Sequence, residues 1–168
     1  MDAIAAHQHG FNNVVACMGT ALTEHQVAEI RRLTHQVTMA LDPDAAGRQA
    51  TLRSLENSWR VFQARVAGSA QGTTLFQRQD MPEIRVAVLP GGEDPDQLIR
   101  RSPQEWTELV EGASPLFNYV LEALSDQVDA ATPQGKARLV ELLFPLVAAV
   151  PEPAQQDHYF QLLASHLG

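Results

Sequence analysis

The chain has 168 residues, 45% hydrophobic and 19% charged, with a formal net charge of −8. That leaves room for one α/β domain and a smaller appendage, and the acidic balance excludes a domain that grips nucleic acid with its whole surface. Cys17 is the only cysteine and lies in an apolar run, which excludes a disulfide framework and a zinc ribbon and predicts a buried thiol.

Residues 2–9 read as a short helix stopped by Gly10. Asn13 to Met18 is an apolar run of strand length. Thr23-Glu24-His25-Gln26 has the capping-box pattern, and Val27, Ile30 and Leu33 follow at helical spacing. Gln36 to Leu41 reads as a second strand, and a long helix is expected over 45–66 with Leu52, Leu55, Trp59, Phe62 and Val66 on one face. The segment 67–81 is small and polar and reads as a mobile loop. Glu83 to Leu89 is a third strand, broken by Pro90-Gly91-Gly92.

Beyond residue 95 only helices are expected, at 95–101, 103–112, 115–128, 134–150 and 153–167. Phe117, Val120, Leu121, Leu124 and Val128 form one apolar stripe, and Leu139, Leu142, Leu143, Leu146 and Val150 another. Pro145 predicts a kink or a break in its helix. Strands alternating with helices, then helices alone, indicate a parallel α/β sheet with flanking helices and a C-terminal helical extension. Ala113-Ser114-Pro115 suits a boundary between units at 1–113 and 114–168. No stretch approaches the ~20 apolar residues of a membrane span, and the N-terminus lacks a basic-then-apolar export signal. A cytoplasmic protein without a membrane partner is expected.

Two Asp-Pro-Asp triplets, Asp42-Pro43-Asp44 and Asp94-Pro95-Asp96, each follow a strand. Ligands of such sheets sit outside the carboxyl ends of the strands, so four carboxylates would converge there. Crowded acids repel one another unless a cation neutralises them, which points to a divalent-metal site. Asp42 and Asp94 also suit helix N-caps with proline at the first helical position. The two roles coexist, because a capping aspartate keeps a free lone pair. His7, His9, His25, His35, His158 and His166 lack ligand spacing and read as surface or core filler. Trp59 and Phe62 read as core, and Gly19-Thr20 and Gly91-Gly92 as turns.

Met1-Asp2-Ala3-Ile4-Ala5 followed by Gly10-Phe11-Asn12-Asn13-Val14-Val15-Ala16 resembles the start of the Toprim domain of bacterial DNA primases. Gly19-Thr20-Ala21-Leu22-Thr23 resembles that family's turn, and Asp42-Pro43-Asp44-Ala45-Ala46-Gly47 its Asp-x-Asp-x-Ala-Gly metal motif. Leu89-Pro90-Gly91-Gly92-Glu93-Asp94-Pro95-Asp96 is similar to its second acidic loop. Ser114-Pro115-Leu116-Phe117 and Gly135-Lys136-Ala137-Arg138 are similar to the helices that follow its catalytic domain. The resemblance implies a Toprim-like fold and RNA primer synthesis on a single-stranded DNA template from ribonucleoside triphosphates. It implies Asp42, Asp44, Asp94 and Asp96 as ligands of two or more Mg²⁺ or Mn²⁺ ions. It further implies Asp42, Asp44 and Asp2 as catalytic acids, Asp2 matching an acid near the metals, and Arg48 as a candidate phosphate contact.

The family carries a strand and a glutamate just before the segment that Met1-Asp2 matches, so the expectation is a primase fragment whose first Toprim strand is missing. Its sheet would then have an unpaired edge, and primer synthesis by the chain alone would be very weak. The zinc-binding domain, the basic template-binding subdomain and the domain that docks the replicative helicase are expected to be absent. Rival readings are a non-catalytic remnant or interaction module, a Toprim-type nuclease, and a haloacid-dehalogenase-like phosphotransferase. The last usually has a threonine after its Asp-x-Asp and a later lysine. Here Ala45-Ala46 follow, and Lys136, the only lysine, falls in the helical tail.

Overall fold

A computed structural model describes residues 1–17, 23–41, 52, 55, 59, 83–150 and 152–168. Strand β1 (Gln36–Leu41) pairs in parallel with β2 (Glu83–Val88), Gln36 opposite Glu83 and Leu41 opposite Val88. Their valine, isoleucine, threonine and methionine content suits a pleated, covered surface. Side chains alternate in direction along a strand. Val37, Met39 and Leu41 accordingly pack toward one apolar cluster, with Ile84 and Val86 beside them, while Ala40 and Leu89 belong to a second.

Helix α1 (Asp2–Gln8), α3 (Pro95–Arg101) and α4 (Pro103–Glu111) build the smaller cluster, from Ala6, Leu98, Ile99 and Trp106. Phe11 meets Trp106 edge-on at 6.3 Å between ring centres. The larger cluster covers the other face. It takes Val27 from α2 (Glu24–Leu33), the helical residues Leu52, Leu55 and Trp59, and side chains from α5 (Leu116–Ser125), α6 (Pro133–Ala148) and α7 (Pro153–Leu167). Phe117 stacks on Tyr159 at 4.5 Å, and the buried Trp59 indole N–H donates to the Leu146 carbonyl at 3.0 Å. Trp59 is therefore core, as expected, and its polar end is satisfied inside that core.

The helices start where the sequence supplies caps. Thr23 and Gln26 form the expected reciprocal box at α2, and Thr132 Oγ1 accepts from the Gly135 amide at 3.1 Å. A Cβ on Gly135 would run into the Asp129 backbone carbonyl, so the turn before α6 needs glycine there. Of the expected kink or break at Pro145, no break occurs: helix α6 runs through Pro145 to Ala148. Pro145 has no amide hydrogen to give the Glu141 carbonyl, and both residues are exposed, so the missing bond falls on the solvent face of the helix rather than in its core.

Four expectations are corrected. Asn13 to Cys17 is not a strand, because no described strand lies beside it to complete a ladder; Val15 is 74% exposed. Cys17, on the same unpaired segment, is exposed rather than buried. The sheet is mixed rather than wholly parallel: a two-residue strand β3 (Ser114–Pro115) pairs antiparallel with Val86 and Arg85. Pro115, with φ −52 and ψ 138, is already extended, and the missing proline N–H is tolerated at a sheet edge. Leu33, which follows Val27 and Ile30 at helical spacing, is 85% exposed in the last turn of α2 rather than packed into the core with them. The helix expected over 45–66 is described only at Leu52, Leu55 and Trp59, and Phe62, Val66, Met18, the Gly19-Thr20 turn and the 67–81 loop lie outside the described residues.

Candidate metal centre at the strand ends

Because β1 and β2 run parallel and in register, they finish at the same edge of the sheet. The Leu89 amide extends the pairing by donating to the Leu41 carbonyl at 2.9 Å. In the sequence Asp42 comes next after Leu41. After Leu89 the chain turns through Gly91 and Gly92, whose φ values of 23 and 80 belong to the region that glycine tolerates best. The Glu93 amide closes that turn on the Pro90 carbonyl at 3.1 Å.

Asp94 then starts α3. Its Oδ1 accepts from the Gln97 amide at 2.8 Å, and the Gln97 side chain accepts from the Asp94 amide at 3.2 Å. Both halves of a capping box are present, and Pro95 occupies the first helical position. The N-cap reading of Asp94 thus holds. Asp96, in the first turn, accepts from Arg100 Nε at 2.6 Å, one helical turn on. One oxygen of each carboxylate is committed in this way; the second of each meets no donor among the described residues. Asp2 lies in the first turn of α1, whose Ala6 packs in the same cluster as Leu98 and Ile99 of α3.

Arg101, at the end of α3, makes the densest polar contact of the region. Its Nε and Nη2 donate to Glu93 at 3.0 and 2.9 Å, and its Nη1 and Nη2 donate to Glu105 of α4 at 2.7 and 3.1 Å. The hydrogen bonds with Glu105, and then Glu93, push the guanidinium pKa above its usual value. The hydrogen bond from Arg101 holds the Glu105 carboxyl below the ordinary range. Sequence reasoning missed this contact. The spacing of four between Arg101 and Glu105, and between Asp96 and Arg100, was a usable signal; the pairing of Arg101 with Glu93 was not.

Asp42, Asp44 and Arg48 lie outside the described residues. Among the described residues no three Asp, Glu, His or Cys side chains gather as a ligand set. Asp94 and Asp96 alone offer two hard oxygen donors, each with an uncommitted oxygen. That fits Mg²⁺, which takes one or two carboxylates and completes its shell with water and phosphate. The described histidine contacts agree with their reading as filler: His7 and His9 bond the Val14 and Ala5 carbonyls, both at 2.8 Å, and His166 bonds Ser125 at 2.7 Å.

Residues 1–99 match the family described as Toprim-like. Residues 117–168 match a family described as the DnaB-helicase binding domain of primase. The description of that second family names the helicase for a segment inside the chain, whereas the resemblance implied a helicase-docking domain outside it. The chain is 36% identical over its full length to the DNA primase of Escherichia coli (strain K12), of which it covers 26%. It superposes on the E. coli primase catalytic core with a TM-score of 0.80 at 34% identity, covering 99% of this chain and 49% of that one. A DnaG primase catalytic domain bound to ssDNA matches with a TM-score of 0.77 at 33% identity, over 98% of this chain and 48% of that one. The chain therefore spans about a quarter of the length of its curated relatives. No helix among the described residues is long and apolar enough to cross a membrane. With more than half of its length covered by the first match, the chain belongs to the Toprim-like family.

Proposed function

We propose that the chain is the cation-binding part of a bacterial DNA primase, serving nucleotidyl transfer from ribonucleoside triphosphates on single-stranded DNA. Asp42, Asp44, Asp94 and Asp96 are the proposed ligands of two or more Mg²⁺ or Mn²⁺ ions, with Asp2, Asp42 and Asp44 as the catalytic acids. The parallel register that ends β1 and β2 abreast carries the proposal, because both acidic triplets follow those two strand ends in the sequence. Ions about 4 Å apart would stabilise both the attacking and the leaving oxygen of a displacement at phosphorus. The chain's own part is to hold carboxylates at the strand ends. The division into 1–113 and 114–168 belongs to the same proposal, supported by matches that fall on either side of it. So do a cytoplasmic location and a helicase partner, the latter supported by the description of the family matched at 117–168.

Fusing the chain to the amino-terminal half of the E. coli relative tests the activity. Ribonucleotide incorporation on single-stranded DNA is expected from the fusion and not from its Asp44→Asn form. A fusion that folds, binds template and incorporates nothing, or one indifferent to Asp44→Asn, contradicts the proposal. A non-catalytic module whose acids merely cap helices remains the second reading, favoured by the complete capping box at Asp94.

A further inference from the structure

We propose that Arg101 is a positioning residue for the acidic loop, holding Glu93 against Glu105 so that Asp94 and Asp96 stand in place before a cation arrives. Two edges of one planar guanidinium are used: Nε and Nη2 face Glu93, and Nη1 and Nη2 face Glu105. Arginine's rigid fork suits such double recognition, and a lysine ammonium does not.

The place of this contact in the chain gives it its effect. Glu93 directly precedes the capping Asp94 and follows two glycines with positive φ, which form the turn. Arg101 ends the same seven-residue helix that Asp94 begins, and Glu105 lies on the next helix. The clamp therefore ties the free end of the glycine turn to both helices. Leu98 and Ile99 anchor α3 underneath, each fully buried. The clamp also occupies Glu93 and Glu105 with a cation of the protein's own. Two further carboxylates are thereby kept from competing with Asp94 and Asp96 for a metal.

The role toward a cation rests on the metal reading above; the mechanical role does not. Amide hydrogen exchange on the 168-residue chain reads the mechanical part without metal. In Arg101→Gln, the Glu93 amide (bonded to Pro90) and the Gln97 amide (bonded to Asp94) should exchange several-fold faster. Those of Leu139 and Leu143 in α6 should be unchanged. Arg101→Lys should not restore the rate, since one ammonium cannot grip both acids. Mn²⁺ titration followed by electron spin resonance reads the second part, and Arg101→Gln should weaken binding about tenfold, as loss of an outer support commonly does. Exchange at Glu93 and Gln97 that stays at the wild-type rate overturns the clamp, whatever the ion does. Faster exchange with unchanged Mn²⁺ affinity overturns its role toward the cation. If the wild-type chain ignores Mn²⁺ while the variant's loop amides speed up, the clamp stands and the metal reading falls.

Discussion

At the head of the helical tail, Phe117 is 2% exposed and stacked on Tyr159, inside a cluster contributed by five helical segments and the sheet. At the end of the sheet, Arg101 and Glu93 meet each other with side chains 48% and 32% exposed. Apolar burial is strong and non-directional, about 1.5–3 kcal/mol for a side chain of this size. An exposed ion pair adds little stability but fixes direction. The cluster around Phe117 therefore contributes mainly stability, while the acidic loop contributes geometry, and lesions in the two regions should separate.

Phe117→Ala should cost the most, about 3–5 kcal/mol, a large share of the few kcal/mol by which domains are stable. Urea unfolding measures it, and a loss below about 1 kcal/mol would mean that the tail is not a true core. Gly135→Ala comes next, about 1–3 kcal/mol, because its methyl group displaces the Asp129 carbonyl and the turn that caps α6. The loop should respond on another scale. Asp94→Ala loses the cap and about 1 kcal/mol, whereas Asp94→Asn keeps an accepting oxygen and should stay within a few tenths of wild type. The same Asp94→Asn chain should lose most of its response to Mn²⁺, so one position separates capping from ion binding.

The smallest effect concerns pH. Glu105 titrates below its unfolded value because Arg101 bonds its charged form. A carboxylate with a lowered folded pKa stabilises above the unfolded value, about 4.3, and that contribution disappears as pH falls through the folded one. The stability difference between wild type and Arg101→Gln should hence be level near neutrality and shrink in acid. A difference that widens below pH 4 would assign the stabilisation to other groups.

Much of this separation could be read from residues. Thr23 with Gln26 announced the α2 cap, and the apolar stripes of α5 and α6 announced their buried faces, because capping and periodicity are local rules. The two strands that pair, 36–41 and 83–88, were legible for the same reason. Asn13 to Cys17 looked equally strand-like and is not one, since a strand needs a neighbour and composition does not report neighbours. β3 escaped notice because two residues carry no period. In the loop, the repeated triplet singled out Asp94 and Asp96 as candidate ligands, yet the contact proposed to steady them, Arg101 to Glu93 across eight residues, depends on how the glycine turn folds back.

Thermal unfolding of the wild-type chain and of Asp44→Asn, each with and without Mn²⁺, tests the central claim most directly. Wild type should gain stability as the ion saturates it, about 2.7 kcal/mol at a hundredfold excess over Kd, and Asp44→Asn should lose most of that gain. Identical melting of both proteins in the presence and absence of Mn²⁺ would contradict a cation site at the strand ends.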